Sequence, residues 1–210
     1  MEEIVRNAPL EDIPLRLAFL GKNTRPASRF LSDRRFGFMQ LLRGEEIDNF
    51  LRSCEHSAFH LEVLDTYETP EEAEPFNKFL TGEPDDYAWG ADWWNLIREV
   101  TSTGRAVRRA RIVTEPHVDY TRWGLVVAEQ NIAVGEEIRY LSRHQIDPAE
   151  LTTDDFWLID DRTLAFTVFE PSGRYVGWAI GHDPVIVDHA RTVWDRVWDK
   201  AVPHADYVKA

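Results

Sequence analysis

The sequence predicts an α/β domain with a mixed sheet, in which a βαβ unit is followed by a β-meander and a closing C-terminal helix. Residues 156–181 contain three aromatic-rich apolar runs separated by turn residues, a pattern typical of antiparallel strands joined by tight turns. Residues 107–141 contain two apolar runs with a helical pattern between them, which indicates parallel strands and a crossover helix. Residues 184–201 then repeat apolar side chains at helical spacing.

The composition is that of a folded chain with a substantial core. The chain has 210 residues, of which 43% are apolar and 8 are tryptophan, enough to bury the core of one domain. We divide it into an N-terminal arm or helix (residues 1–40), a single α/β domain (residues 41–203) and a C-terminal tail (residues 204–210). The arm contains a basic segment, residues 22–35, which is expected either to pack on the domain or to dock a partner.

The net charge disfavours some classes of protein, and the cysteine count excludes others. The formal charge is -13 at pH 7, and such a field repels nucleic acids and anionic membranes. The single cysteine, Cys54, permits neither an intrachain disulfide nor an all-cysteine metal site. The N-terminus has no signal-peptide pattern, and no run approaches the ~20 apolar residues of a membrane span. We therefore expect a cytoplasmic protein without a membrane or direct nucleic-acid partner.

The first elements of the domain differ in their apolar period. Residues 45–54 have the period of a short helix, and residues 59–63 alternate as a half-buried strand does. Residues 69–72 match a capping box, but Pro75 removes a helical hydrogen bond. Two short turns are therefore expected there rather than one long helix.

The βαβ unit follows a core helix. Residues 92–103 have an apolar stripe at helical spacing, with Asp92 in position to cap the helix. Residues 107–113 and 138–141 are the predicted parallel strands, and residues 116–134 are the predicted helix between them.

The meander and the last helix complete the fold. All four residues of 156–159 are apolar, which favours a central strand covered on both faces. Residues 164–168 and 175–180 form the clearest predicted hairpin. Asp183 and Pro184 then have the pattern of a helix start.

His56 and His60, with Glu62 nearby, match the spacing of a metal-binding pair. Such a pair needs a helix to bring residues i and i+4 together, whereas this segment alternates as a strand does. Residues four apart on a strand are ~13 Å apart, so no metal site is expected here. No cofactor motif, phosphate-binding loop or nucleophile elbow occurs elsewhere.

The turn after the first strand of the βαβ unit carries the more suggestive polar residues. Open α/β sheets bind ligands at the carboxyl ends of their strands, where Glu115 and His117 lie in sequence. Tyr120, Arg122 and Arg139 are candidates for the same crevice. These residues indicate a ligand or partner site, or they are ordinary loop and sheet-edge polar residues.

Four carboxylates flank the predicted central strand: Asp154, Asp155, Asp160 and Asp161. Paired carboxylates can perform general acid and base catalysis when their environments separate their pKa values. Residues at strand ends are more often exposed turn formers, so both interpretations stay open.

From residue 41 onward the chain resembles an actinobacterial family of unknown function. The segments that carry the resemblance are EHSAFHLEV, DWWNLIREVTSTGR, RIVTEPHVDY, GEEIRYL, DDFWLIDDR and DRVWDKAVP. Members of that family are typically encoded beside small helix-turn-helix regulators and short acidic partner proteins. The resemblance implies a regulatory context but no chemical mechanism.

Residues 107–181 also resemble half of a phospholipase D-like domain, whose catalytic strand carries H-x-K-x-x-x-x-D. When Asp160 is placed on the aspartate of that motif, Thr153 replaces the histidine and Asp155 the lysine. The following G-S-x-N is also missing. The resemblance therefore implies that phosphodiester chemistry is lost, and non-catalytic relatives serve as effector or dimerisation domains. We include Asp160 among the candidate site residues.

We therefore expect a non-enzymatic regulatory or protein-binding domain that acts with a helix-turn-helix regulator or by self-association. One alternative is a small-molecule enzyme or sensor that binds its substrate or effector near Glu115, His117, Tyr120 and Arg139. The other is an antitoxin-like protein whose acidic charge masks a basic partner.

Overall fold

The structure, a computed structural model, describes residues 40–169 and 174–209. Its strands are β1 (Gln40–Leu42), β2 (Ser57–Glu62), β3 (Ala106–Val113), β4 (Glu137–Ser142), β5 (Phe156–Ile159), β6 (Thr163–Phe169), β7 (Tyr175–Gly181) and β8 (Val202–Pro203). Its helices are α1 (Glu45–Arg52), α2 (Ala73–Thr81), α3 (Ala91–Thr101), α4 (Asp119–Ala133), α5 (Pro184–Lys200) and α6 (His204–Tyr207). Apart from residue 40, the predicted arm lies outside the described residues. Within the described ranges, no helix is long and apolar enough to cross a membrane.

The strands form one mixed sheet in the order β1-β7-β6-β5-β2-β3-β4-β8, which confirms the predicted fold class. β3 and β4 pair in parallel and are joined by α4, as predicted for the βαβ unit. β5, β6 and β7 pair antiparallel in succession, as predicted for the meander. β2 pairs in parallel with β3 and antiparallel with β5, so it joins the two halves into one sheet.

One face of the sheet packs against α5. Asp183 caps this helix, because its side chain accepts hydrogen bonds from the backbone N–H groups of Val185 and Ile186. The predicted stripe of α5 is buried against alternate strand residues, in a core that includes Leu61, Ala110, Leu158, Leu164, Val193, Trp194 and Val197. Since side chains alternate along a strand, the neighbours of these strand residues point to the opposite face.

The opposite face is apolar at one end and polar at the other. At the apolar end, Ala58 of β2 and Val107 of β3 pack with the buried residues Ile97 and Val100 of α3. Further along the same two strands, alternate positions carry charged or polar side chains instead: His60, Glu62, Arg109 and Arg111. Helices α3 and α4 flank this polar region, which contains the candidate site.

Two helix starts differ from the predictions. The segment expected to form two short turns contains α2, a helix of 9 residues. Pro75 is the third residue of α2, where the backbone N–H has no partner within the helix, so the proline removes nothing. The predicted cap at Asp92 is also wrong, because Gly90 precedes α3 and no side chain caps its first turn.

Candidate functional site

A cavity of ≈ 380 Å³ lies on the polar part of the second face. Its floor is formed by strands β2 to β7, and its walls by α3, α4 and the segment between β2 and α2. Aromatic side chains dominate the lining: Trp89, Trp93, Trp94, Trp123, Trp157, Trp178, Tyr67, Tyr120, Tyr175 and Phe169. A cavity with this volume and this lining falls within the usual range of small-molecule sites.

The aromatic walls are held in place by one another. Trp89 stacks on Trp123 with ring centroids 5.7 Å apart. Trp157 stacks on His60 at 4.3 Å and lies 5.3 Å from Trp178. Such packing limits ring motion, so the cavity is preorganised.

A row of polar side chains crosses the floor of the cavity. Glu62 of β2 is directly opposite Arg111 of β3. On the other side of Glu62, the carboxylate of Asp155 accepts a hydrogen bond of 2.7 Å from the backbone N–H of Val63. The backbone carbonyl of Asp155 accepts a 3.0 Å hydrogen bond from the N–H of Thr167, which places Thr167 next in the row.

Glu62 is the centre of a buried ion-pair network. It contacts the Arg109 guanidinium at 2.6 Å and also pairs with Arg111. Arg109 contacts Glu136 as well, at 2.7 Å. Burial opposes the charge of Glu62, but the two guanidinium groups outweigh burial and lower its pKa to about 2. Two cations and two carboxylates therefore neutralise one another beneath the cavity.

Asp155 is not part of this ion-pair network. Its side chain is buried, at 2% exposure, and the ion pairs of the described residues give it no Lys or Arg partner. Burial, and after it the negative charge of Glu62, raise its pKa to about 7. Glu72 is affected in the same direction, because burial raises its pKa although the Tyr120 hydroxyl donates a hydrogen bond to it.

Several residues of the lining carry buried polar atoms without a hydrogen-bond partner, among them Nε2 of His60 and the hydroxyl of Thr167. Burial, together with the charges of Arg109 and Arg111, lowers the pKa of His60 to about 3 despite Glu62, so its ring is neutral at neutral pH. A neutral imidazole offers one donor and one acceptor.

Of the residues predicted for the crevice, only Tyr120 lines this cavity, and of the four carboxylates predicted to flank the central strand, only Asp155 lines it. Arg139 is on the opposite face of the sheet, because its position in β4 pairs with Ala110, which packs towards α5. Its guanidinium lies 4.2 Å from the ring centroid of Trp198 and donates a 3.1 Å hydrogen bond to that residue's carbonyl. The predicted crevice therefore does not include Arg139.

Glu115 and His117 form a separate cluster beyond β3. The hydroxyl of Tyr207, in α6, is 2.7 Å from Oε1 of Glu115 and 3.0 Å from Nε2 of His117. Ser142 also donates to Glu115, at 2.7 Å. The segment predicted as a C-terminal tail thus begins with a short helix bound to the sheet. Arg122 is exposed and pairs with its helical neighbour Asp119.

Asp160 closes a turn at the far end of β5. Its carboxylate accepts hydrogen bonds from the backbone N–H groups of Glu55, His56 and Ser57. These hydrogen bonds outweigh the effect of burial and lower its pKa. Asp155 and Asp160 are at opposite ends of a strand, ~16 Å apart, so the positions aligned with the phospholipase D motif do not converge.

The sequence contains a signal for the cavity in its alternation. His60 and Glu62 are two residues apart on a predicted strand, as are Arg109 and Arg111 on the next one, so each pair shares a face. When His60 is considered with His56 as a possible metal-binding pair, the face that His60 shares with Glu62 is easily missed. No group of three or more potential metal ligands occurs among residues 40–169 and 174–209.

Comparisons with known proteins give a family but no activity. A family profile described as "Domain of unknown function (DUF6879)" matches residues 45–209. No curated protein matches the chain significantly. Among solved structures the chain is similar to NucT from Helicobacter pylori, with a TM-score of 0.45 and 11% sequence identity, over 76% of this chain and 89% of that chain.

Proposed function

We propose that this chain, which belongs to the DUF6879 family of domains of unknown function, binds a small organic molecule in the tryptophan-lined cavity. The observation that carries this proposal is a buried polar row, with partnerless groups on His60 and Thr167, beneath an aromatic cavity of ≈ 380 Å³. Buried polar groups in folded proteins are almost always paired. A cavity whose walls leave them unpaired is suited to a ligand that supplies the missing partners.

If the domain has the regulatory role predicted from the sequence, the cavity is its effector site. Action with a helix-turn-helix regulator stays a prediction, and its support is the sequence resemblance to an actinobacterial family and to a phospholipase D-like domain. A ligand that binds the folded domain stabilises it by mass action. Such stabilisation is one way in which a binding domain transmits an effector signal to a partner.

A second candidate function is acid–base catalysis in the same cavity. One observation favours it: Asp155 is buried in the cavity and has a pKa of about 7, the value at which a carboxyl group both accepts and releases protons at neutral pH. In that case Asp155→Asn abolishes turnover of a bound substrate and leaves its binding intact.

Three probes of similar size and different charge test the binding proposal: benzyl alcohol, benzylamine and benzoate. The tryptophan rings report binding through their fluorescence. Val127 of α4 lines the cavity, whereas the adjacent Val126 is outside it and 42% exposed. We expect at least one probe to bind the full chain with 1:1 stoichiometry, Val127→Phe to abolish that binding by filling the cavity, and Val126→Phe to retain it.

The proposal is overturned if none of the three probes binds, or if a probe binds Val127→Phe as well as it binds the wild type.

A further inference from the structure

The cavity lining holds more carboxyl groups than cationic groups. The carboxyl groups are Glu62, Glu71, Glu72 and Asp155, and the cations are Arg109 and Arg111. Glu62 engages both arginines, and Glu136, outside the lining, engages Arg109 as well. Both guanidinium groups are thus already neutralised, whereas no described Lys or Arg pairs with Asp155 in the ion pairs of the structure. An anionic ligand would have to displace Glu62 or Glu136 from their ion pairs.

Aromatic side chains line the same cavity as Asp155. Asp155 immediately precedes β5, and Trp157 of that strand is two residues further along the chain, so both side chains are directed to the same face. Trp178 is opposite Thr167, the residue whose N–H binds the Asp155 carbonyl. The ring centroid of Trp93 lies 6.0 Å from that of Trp157, so the three tryptophans form one cluster. The face of tryptophan attracts cations more strongly than that of any other side chain.

We propose that the ligand of this cavity is an organic cation, a quaternary ammonium or a protonated amine, held between the Asp155 carboxylate and the rings of Trp157, Trp178 and Trp93. This inference rests on the proposed function and adds the chemical class of the ligand. The cation supplies the counter-charge that the described residues do not give to Asp155. Its apolar body replaces water against the indole rings.

Binding of a cation is coupled to ionisation of Asp155. The groups that act on this carboxyl are the negative charges of Glu62 and Asp154, the backbone N–H of Val63 and the hydroxyl of Tyr67. Because its pKa is about 7 in the free protein, a cation binds mainly the ionised form. Its affinity therefore rises about tenfold from pH 6 to pH 8 and then levels off.

Choline and its uncharged isostere 3,3-dimethylbutan-1-ol provide a matched pair of probes. We measure their dissociation constants for the full chain by tryptophan fluorescence at pH 6 and pH 8. At pH 8 we expect choline to bind at least tenfold more tightly than the alcohol. Asp155→Asn should remove that difference, whereas the control Asp161→Asn, at an exposed carboxylate beyond β5, should retain it. The pH dependence of choline binding to the wild type tests the same point without any substitution.

The possible outcomes separate the two proposals. If 3,3-dimethylbutan-1-ol binds as tightly as choline, and benzyl alcohol as tightly as benzylamine, the cavity binds ligands but the cation proposal is wrong. Choline binding that is equal at pH 6 and pH 8 also overturns the role of Asp155. If none of these probes binds, the proposed function itself fails.

Discussion

Two neighbouring carboxyl groups show how strongly paired charges set the ionisation of a buried residue. Glu62 and Asp155 lie side by side on the cavity floor, and burial opposes ionisation of both. Two guanidinium groups nevertheless lower the pKa of Glu62 to about 2, whereas Asp155, beside the charge of Glu62, has a pKa of about 7. The pairing of charges, and not burial alone, separates the two residues.

This difference predicts a specific dependence of stability on pH. Since folding raises the pKa of Asp155 from 3.8 to about 7, its protonated form stabilises the folded state fully below the unfolded value. That stabilisation is lost as the pH rises through about 7. Asp155→Asn cannot ionise, so its free energy of unfolding relative to wild type should increase by about 2 to 3 kcal/mol between pH 5 and pH 8.

Urea denaturation of both proteins at the two pH values measures this change, with Asp161→Asn as the control. A difference between Asp155→Asn and wild type that stays constant from pH 5 to pH 8 contradicts the assignment of a raised pKa to Asp155.

Arg109 and Arg108 are adjacent on β3 and provide a test of the buried network. Arg109 is 8% exposed and paired with two carboxylates, so Arg109→Gln leaves buried charges unpaired and should cost ~3–5 kcal/mol. Arg108 forms a more exposed pair with Glu137, so Arg108→Gln should cost at most ~1 kcal/mol. Denaturation curves of the two variants measure these costs. Equal losses would show that the network does not stabilise the fold as described.

At the scale of elements, strong local patterns were sufficient to predict most of the fold. The meander, the βαβ unit and the long last helix each combine a clear apolar period with turn or cap residues, and all three are present. The prediction of two short turns in place of α2 was wrong, because a proline such as Pro75 is harmless in the first turn of a helix but disruptive further along it. That distinction depends on where the helix begins, which a propensity pattern defines poorly.

The cavity depends on contacts between distant strands, and local patterns do not contain this information. Its polar row requires β5 to pair with β2, so that Asp155 follows Glu62 across the sheet. Arg139 was assigned to the wrong face because its register with β3 was unknown. Tyr120 was placed in the site, but with partners that the fold separates from it. The local signals of the site were therefore the charged alternation in β2 and β3 and the carboxylates that flank β5.

The packing of α5 makes a prediction at this scale. Trp194 is 2% exposed and stacks on Phe59 at 4.9 Å, so Trp194→Ala should cost ~3–5 kcal/mol. Trp198 is only partly buried, so Trp198→Ala should cost less. Val185→Ala, at a position that is 75% exposed, is the control and should change stability by less than ~0.5 kcal/mol. A loss below about 1 kcal/mol for Trp194→Ala, by thermal or urea melts, would show that α5 does not anchor the sheet.

For the whole molecule, the proposed ligand site and the predicted partner surface lie in different parts of the chain. The cavity residues fall between positions 60 and 178, inside the family match of residues 45–209. The basic segment of residues 22–35 precedes both, in a chain whose formal charge is -13. A basic segment on an acidic protein can bind the acidic body of a second copy or an acidic partner. Ligand binding and association are therefore expected to be separable by truncation.

Deletion of residues 1–36 tests this separation. Every described element begins at Gln40 or later, so we expect the truncated chain to stay folded, with a melting temperature near that of the full chain. Its choline affinity should remain within about twofold of the full chain, because the cation site is formed by strands and helices of the body. Its association, with itself or with the helix-turn-helix partner predicted from the sequence, should weaken, because the basic segment is gone. Size-exclusion chromatography with light scattering measures the assembly state, and tryptophan fluorescence measures the affinity for choline.

An unchanged assembly state contradicts a docking role for the arm, whereas a large loss of choline affinity would mean that the arm contributes to the ligand site itself.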